Sequence, residues 1–285
     1  MTRRVNVAGS TPGARAVRSA QVHALPGPRS SGGVAGSGSV TLGTDRYGRV
    51  VAMSNGLLEV IALDVRDARA AADGGADRIE LVSGMEWAGV CPALETVEQV
   101  RAAVDVPVRV MLRLREDFLV GGPDGEAALC AIARRLREAG AAEFVLGWLD
   151  EKNAVDLGAL ERLQESWAGL PCTFHKAIDQ TTDRGAAFHE IRNLPYVDTV
   201  LTSGGPFPAG QGIDVLAAEA ALEASISGGS LEILVGGGLK LADVPALKDA
   251  GLSNFHVGSA VRGSGDWDGH VDAELVARWR DVIDG

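Results

Sequence analysis

Sulfur, aromatic rings and positive charge are all scarce in this chain. Its 285 residues include three cysteines, Cys91, Cys130 and Cys172. They form no CxxC pair and no even framework, which excludes a disulfide scaffold and predicts reduced thiols in a cytoplasmic protein. Aromatic residues make up 5% of the chain while hydrophobic residues reach 46%. The core must therefore be built from Val, Leu, Ile and Ala, the mixture that fills a barrel interior. No apolar run approaches the length needed to cross a bilayer, so no membrane partner is expected. The net charge of −11 gives a surface that repels phosphate backbones, which excludes nucleic acid as an expected partner.

Acidic residues are missing from the N-terminal stretch, where Asp45 stands alone. Residues 1–52 are rich in Gly, Ser, Pro and Arg and lack apolar periodicity, so a disordered extension is expected there. An Arg-rich, acid-poor transit peptide is the alternative, and the lack of an apolar core segment argues against a secretory signal. Residues 53–285 are expected to form one domain.

From Leu57 onward, short Val/Ile/Leu runs alternate with amphipathic segments. The strands are predicted at Leu57–Leu63, Asp77–Val82, Val108–Arg113, Glu143–Trp148, Pro171–Lys176, Thr199–Ser203, Glu232–Val235 and Asn254–Gly258. The helices between them are predicted at Asp67–Asp73, Leu94–Val104, Asp124–Ala139, Leu157–Trp167, Asp183–Asn193, Val215–Ser225, Ala242–Ala250 and Ala273–Ile283. This alternation predicts an α/β fold with parallel strands, a single-domain (β/α)8 TIM-type barrel. An open doubly wound sheet is the alternative, but no GxGxxG turn follows the first strand.

Strand side chains alternate between faces, and a carboxylate avoids the helix layer. That parity turns Glu59 and Ile61, Glu80 and Val82, and Arg109, Met111 and Arg113 toward the barrel axis. Thr173, His175 and His256 follow the same rule, while Cys172 faces the helices. Buried charges need partners. Either Glu59, Glu80 and Arg113 close an ion-pair network, or these groups line a ligand pocket. Sites in such barrels lie at the C-terminal strand ends. Arg113, His175, Thr202 and Ser203 fall there, and so do two glycine-rich turns, Gly236-Gly237-Gly238 and Gly258-Ser259. Glycine lets backbone amides approach an anion closely. The expected ligand is a small phosphorylated or carboxylated molecule, with Arg113 as its clamp, His175 as acid or base, and Glu80 as a second proton-transfer group. Asp179 either orients His175 or acts as a second catalytic acid or base, or else is a helix N-cap or loop aspartate.

Several of these segments carry a family resemblance. Gly75-Ala76-Asp77-Arg78-Ile79-Glu80-Leu81 resembles the second-strand signature of the CutC copper-homeostasis family. Thr173-Phe174-His175-Lys176-Ala177-Ile178-Asp179 is similar to its TFHRAFD motif, and Val200-Leu201-Thr202-Ser203-Gly204 resembles VLTSG. The resemblance implies a cytoplasmic TIM-type barrel linked to copper, with copper as candidate cofactor and a homodimer or larger assembly. Many members carry cysteine where this chain has Ile61 and Val82. Cu(I) prefers soft sulfur donors, so Cys91 with His175 is left as the candidate metal pair. A scaffold role with a vestigial pocket is the third alternative.

Overall fold

The computed structural model describes residues 42–44, 50–52, 56–226 and 231–285. Two short strands, β1 (Leu42–Thr44) and β2 (Val50–Ala52), pair antiparallel. They lie inside the stretch expected to be an extension; the remainder of residues 1–52 falls outside the described residues.

The body is a closed barrel of eight parallel strands. In chain order these are β3 (Leu58–Ala62), β4 (Arg78–Leu81), β5 (Val108–Met111), β6 (Glu143–Leu146), β7 (Cys172–Phe174), β8 (Val197–Thr202), β9 (Glu232–Val235) and β10 (Phe255–Val257). Each pairs with its sequence neighbour, and β10 closes on β3 through Phe255 opposite Leu58. Helices α1 (Val65–Asp73), α2 (Leu94–Ala103), α3 (Gly122–Glu138), α4 (Leu157–Leu163), α5 (Arg184–Arg192), α6 (Ile213–Ser225), α7 (Val244–Asp249) and α8 (Ala273–Asp284) separate and follow the strands.

Local chemistry sets the helix starts. Asp64, Asp156, Asp183 and Asp272 cap α1, α4, α5 and α8, each accepting a bond from a first-turn amide. Two helices differ from expectation. The segment predicted at Leu157–Trp167 leaves the α form after Leu163 and finishes as a 3-10 turn ending at Ala168, whose φ is +56°. The segment predicted from Ala242 opens with a 3-10 turn, and Pro245 holds the first turn of α7, where a missing N–H costs nothing.

The alternation rule holds around the barrel. Leu58, Val60, Ile79, Leu81, Val108 and Val110 face outward into one large core with the helices. Each such buried side chain contributes about 1.5–3 kcal/mol. Ile61, Val82, Met111 and Val145 form a second, separate apolar group on the barrel axis, joined by Met85 and Trp267. Met111 is thus a packing residue, and Ile61 and Val82 fill their inward positions with hydrocarbon.

Candidate active site

Below that inner apolar group lies a layer of buried charge. Register places Glu59 beside Arg78, Glu80 beside Arg109, Arg109 beside Glu143, and His256 beside Glu59. Glu59 accepts from Arg78 Nε and, at 2.8 Å, pairs with His256 Nδ1. Arg109 donates to Glu143 (2.8 Å), Thr173 Oγ1 (2.6 Å) and Asp198 (2.9 Å). Burial alone would raise the Glu59 pKa, but Arg78 first, and then His256 and Arg109, pull it down to about 2. The Glu59–Glu80–Arg113 ion-pair network, one of the two alternatives, does not form among the described residues. Glu59 is satisfied by Arg78, which shares the parity of Glu80 and Val82 and is the inward residue that sequence reasoning missed.

Arg113 sits past the end of β5. It donates to the carbonyls of Arg115, Ala88, Trp87 and Glu116 at 2.6–3.2 Å. Four of its N–H groups therefore tie two rim loops together, so it is not the bidentate anion clamp that the sequence suggested. Phe118 lies against the guanidinium, 5.1 Å from ring centroid to Cζ.

Above the charged layer is a cavity of about 280 Å³. Glu80, Arg113, His175, Lys176, Gln180 and His256 are among its polar lining residues, and Met111, Phe118, Leu201 and Trp267 are among its apolar ones. Gly237, Gly238, Gly258 and Ser259 line it as the sequence predicted, whereas Glu59, Thr202, Ser203, Asp179 and Gly236 lie behind its surface. Trp267 went unforeseen because its loop has no periodicity. Its place depends on Gly258, where a Cβ would come within 2.3 Å of the indole.

The two histidines differ in kind. His256 is held by Glu59 through Nδ1. Burial lowers its pKa, but Glu80 and Glu59 outweigh burial and the net shift is upward. His175 accepts the Ala177 amide at Nδ1 (3.2 Å), so its proton resides on Nε2. That Nε2 is buried without a hydrogen-bond partner among the described residues. Burial, with Arg113 adding, pushes the His175 pKa down to about 3, so the ring is a neutral donor. Glu80 is its counterpart. Its Oε2 is buried without a partner, and burial raises its pKa to about 7, Glu59 adding to the rise while His256 and Arg78 oppose it.

Asp179 does not orient His175. It accepts from Thr202 Oγ1 (2.6 Å), Ser203 N (3.0 Å), Ser203 Oγ (2.9 Å), Gly205 N (3.1 Å) and Arg184 Nη1 (2.9 Å). These donors saturate both oxygens and hold the β8 rim in place; the Thr202 and Ser203 hydroxyls are spent there rather than offered to a ligand. Lys176, another residue missed by sequence reasoning, reaches Ser203 Oγ (3.0 Å) and Asp179 (3.3 Å). Its ammonium lies where a Cβ on Gly237 would stand, 2.1 Å away, and Gly237 also has φ of +92°. Only glycine admits both. The Gly236 amide bonds Thr202 O, whereas the amides of Gly237 and Gly238 meet no acceptor among the described residues.

The sulfur donors do not converge. Cys91 lies outside the cavity lining, bonds the Pro92 carbonyl at 3.5 Å, and has its thiol pushed up to about 12 by burial. Cys130 is on α3, and Cys172 is in the outer core, its thiol also raised by burial. No cluster of three or more ligating atoms among the described residues includes Cys91 or His175. Glu59, Glu80 and His256 form such a cluster, but Arg78 occupies one Glu59 oxygen and the set offers no sulfur. These residues do not fit a Cu(I) site. Native protein treated with iodoacetamide near pH 8 is expected to leave Cys91 and Cys172 unmodified until denaturant is added, because the thiolate is the nucleophile. Rapid native labelling of Cys91, read by peptide mass, would contradict its burial.

The CutC family model matches residues 56–261. A CutC family protein of Xanthomonas campestris pv. campestris is 35% identical over 201 residues, covering 70% of this chain and 81% of the relative. One from Xylella fastidiosa is 34% identical over 217 residues, covering 75% and 79%. Among solved structures, a CutC protein of Streptococcus agalactiae named for copper homeostasis superposes with a TM-score of 0.65 at 23% identity, covering 71% of this chain and 98% of that one. Phosphoribosyl anthranilate isomerase of Thermococcus kodakaraensis shares the barrel alone, with a TM-score of 0.51 at 16% identity, over 80% of this chain and 98% of that one. The extent of the family match and the identity to its curated members together show that this chain belongs to the CutC family.

Proposed function

We propose that the protein serves copper homeostasis in the cytoplasm as an acid–base enzyme, acting on a small phosphorylated or carboxylated molecule held at the barrel mouth. The observation that carries this reading is one cavity lined by two kinds of chemistry. Lys176 and the unbonded amides of Gly237 and Gly238 suit an anion. Glu80 and His256 suit proton transfer near neutral pH. The unpaired thiols support a reducing compartment, and the homodimer or larger assembly implied by the family belongs to the same proposal. Direct Cu(I) coordination is disfavoured because the cysteines do not converge on the cavity.

The test is calorimetric titration of the full chain with 2-phosphoglycolate, beside a Cu(I) competition titration. Saturable 2-phosphoglycolate binding is expected, weakened at least about tenfold in Lys176→Met, the loss of one charge-assisted contact. Stoichiometric tight Cu(I) binding with no anion binding would overturn the reading.

A further inference from the structure

The proposed anion site leaves one buried group without a use. His175 Nε2–H is a neutral donor with no hydrogen-bond partner among the described residues, on a residue that lines the cavity. A buried donor left unpaired is costly, so such a group in a cavity wall awaits an acceptor. Its Nδ1 is committed to the Ala177 amide, so the ring cannot turn that nitrogen to the ligand without breaking a backbone contact. The acceptor that matches a neutral N–H donor beside an apolar wall of Met111, Phe118 and Leu201 is a carbonyl oxygen. Glu80 in the same cavity has an equally unpartnered oxygen, and it lies within 4.8 Å of the ligating atoms of His256 and Glu59.

Resting on the proposed anion site, we propose that the ligand is a carbonyl compound carrying an anionic group, and that the site removes a proton from the carbon beside the carbonyl. The C–H bond breaks and its proton passes to Glu80. The electron pair moves onto the carbonyl oxygen, giving an enolate that the His175 Nε2–H stabilises as a preorganised donor. Lys176 and the Gly237 and Gly238 amides hold the anionic end, which fixes the carbon against Glu80. Return of a proton from Glu80 to the same carbon, after exchange with solvent, gives isotope exchange; where that carbon also bears a hydroxyl, transfer of the hydroxyl proton to the former carbonyl oxygen and return of the carbon proton to the former carbonyl carbon gives isomerisation. No oxidant or further reactant is needed. Glu59 is a positioning residue: it does not line the cavity, but it holds the His256 ring and adds to the rise of the Glu80 pKa. The split between a neutral His175, with its pKa near 3, and a Glu80 near 7 fits these two roles, because the donor stays uncharged while the base exchanges its proton.

The experiment is proton NMR of the full chain in D2O with dihydroxyacetone phosphate, glyceraldehyde 3-phosphate and 2-oxobutyrate, with 2-phosphoglycolate binding measured in parallel. Deuterium is expected to enter the carbon beside the carbonyl of at least one probe. Glu80→Gln should slow that exchange by roughly a hundredfold or more while keeping 2-phosphoglycolate affinity within about threefold, which also shows that the variant is folded. His175→Phe should slow it on the order of a hundredfold, and His175→Gln, which restores an N–H donor, should recover part of the loss. Retained 2-phosphoglycolate binding without exchange on any probe overturns this inference and leaves the anion site standing. Loss of both overturns the anion site and the inference with it. Exchange that persists in Glu80→Gln also overturns the assignment.

Discussion

Replacing Arg78 by Met is expected to cost the fold about 3–5 kcal/mol, the range for removing one partner from a buried ion pair. Arg78 and Glu59 are both essentially inaccessible, at 1% and 0% exposure. Methionine has nearly the volume of the arginine stem, so the loss is chiefly electrostatic: a buried carboxylate left with His256 as its hydrogen-bond partner and Glu80 close by. The melting temperature should fall on the order of 10 °C for a chain of this size. The double variant Arg78→Met, Glu59→Gln removes the stranded charge and should recover more than half of the loss. The acid limb of stability carries the same signature. The folded pKa of Glu59 is depressed from 4.5 to about 2. Its contribution is therefore complete above the unfolded value near 4.5 and is lost as pH falls toward 2. The double variant should lack that part of the acid slope. A single variant that melts within about 2 °C of the parent, with the acid slope intact, would show that the pair does not hold the barrel.

Most of this architecture is readable in the sequence because two periodicities govern it. The strand–helix alternation predicts the barrel. Strand parity separates the outer core from the inner groups, and it places Glu59, Glu80, Arg109 and His256 correctly inside. Arg78 obeys the same parity, but it follows Asp77 at a strand edge, where charge is ordinarily solvated. What parity cannot show is which donors a group has already used. Its place at a strand end suggests Arg113 as an anion clamp, yet four of its N–H groups are taken by loop carbonyls. Lys176 was visible inside a motif, but its reach to Ser203, 27 positions away, belongs to the folded rim. The family resemblance points to copper, and Ile61 and Val82 already indicate that the sulfur positions are lost. The neutral state of His175 has no counterpart in the sequence, because it depends on burial and on the nearby Arg113 guanidinium; its tautomer depends on the Ala177 amide seated on Nδ1.

Asp179 supplies the second large effect and separates two readings of one residue. As a positioning partner of His175, its loss would alter the imidazole and leave the fold intact. As the anchor of the β8 rim, its loss removes the acceptor from Thr202, Ser203 and Gly205 together. Each stranded donor costs about 1–3 kcal/mol. Arg184 keeps its pair with Glu219 and offsets part of the damage. Asp179→Ala is therefore expected to destabilise the protein by about 3–5 kcal/mol. It should also weaken 2-phosphoglycolate binding, because Lys176 loses the carboxylate that draws its ammonium toward the glycine turn. Thermal melts combined with the ring nitrogen NMR shifts of His175 distinguish the two readings. A large drop in melting temperature with unmoved His175 signals is the expected result, since that ring is held by the Ala177 amide instead. An unchanged melt with displaced His175 signals would return Asp179 to the role of positioning the histidine and make the β8 rim independent of it.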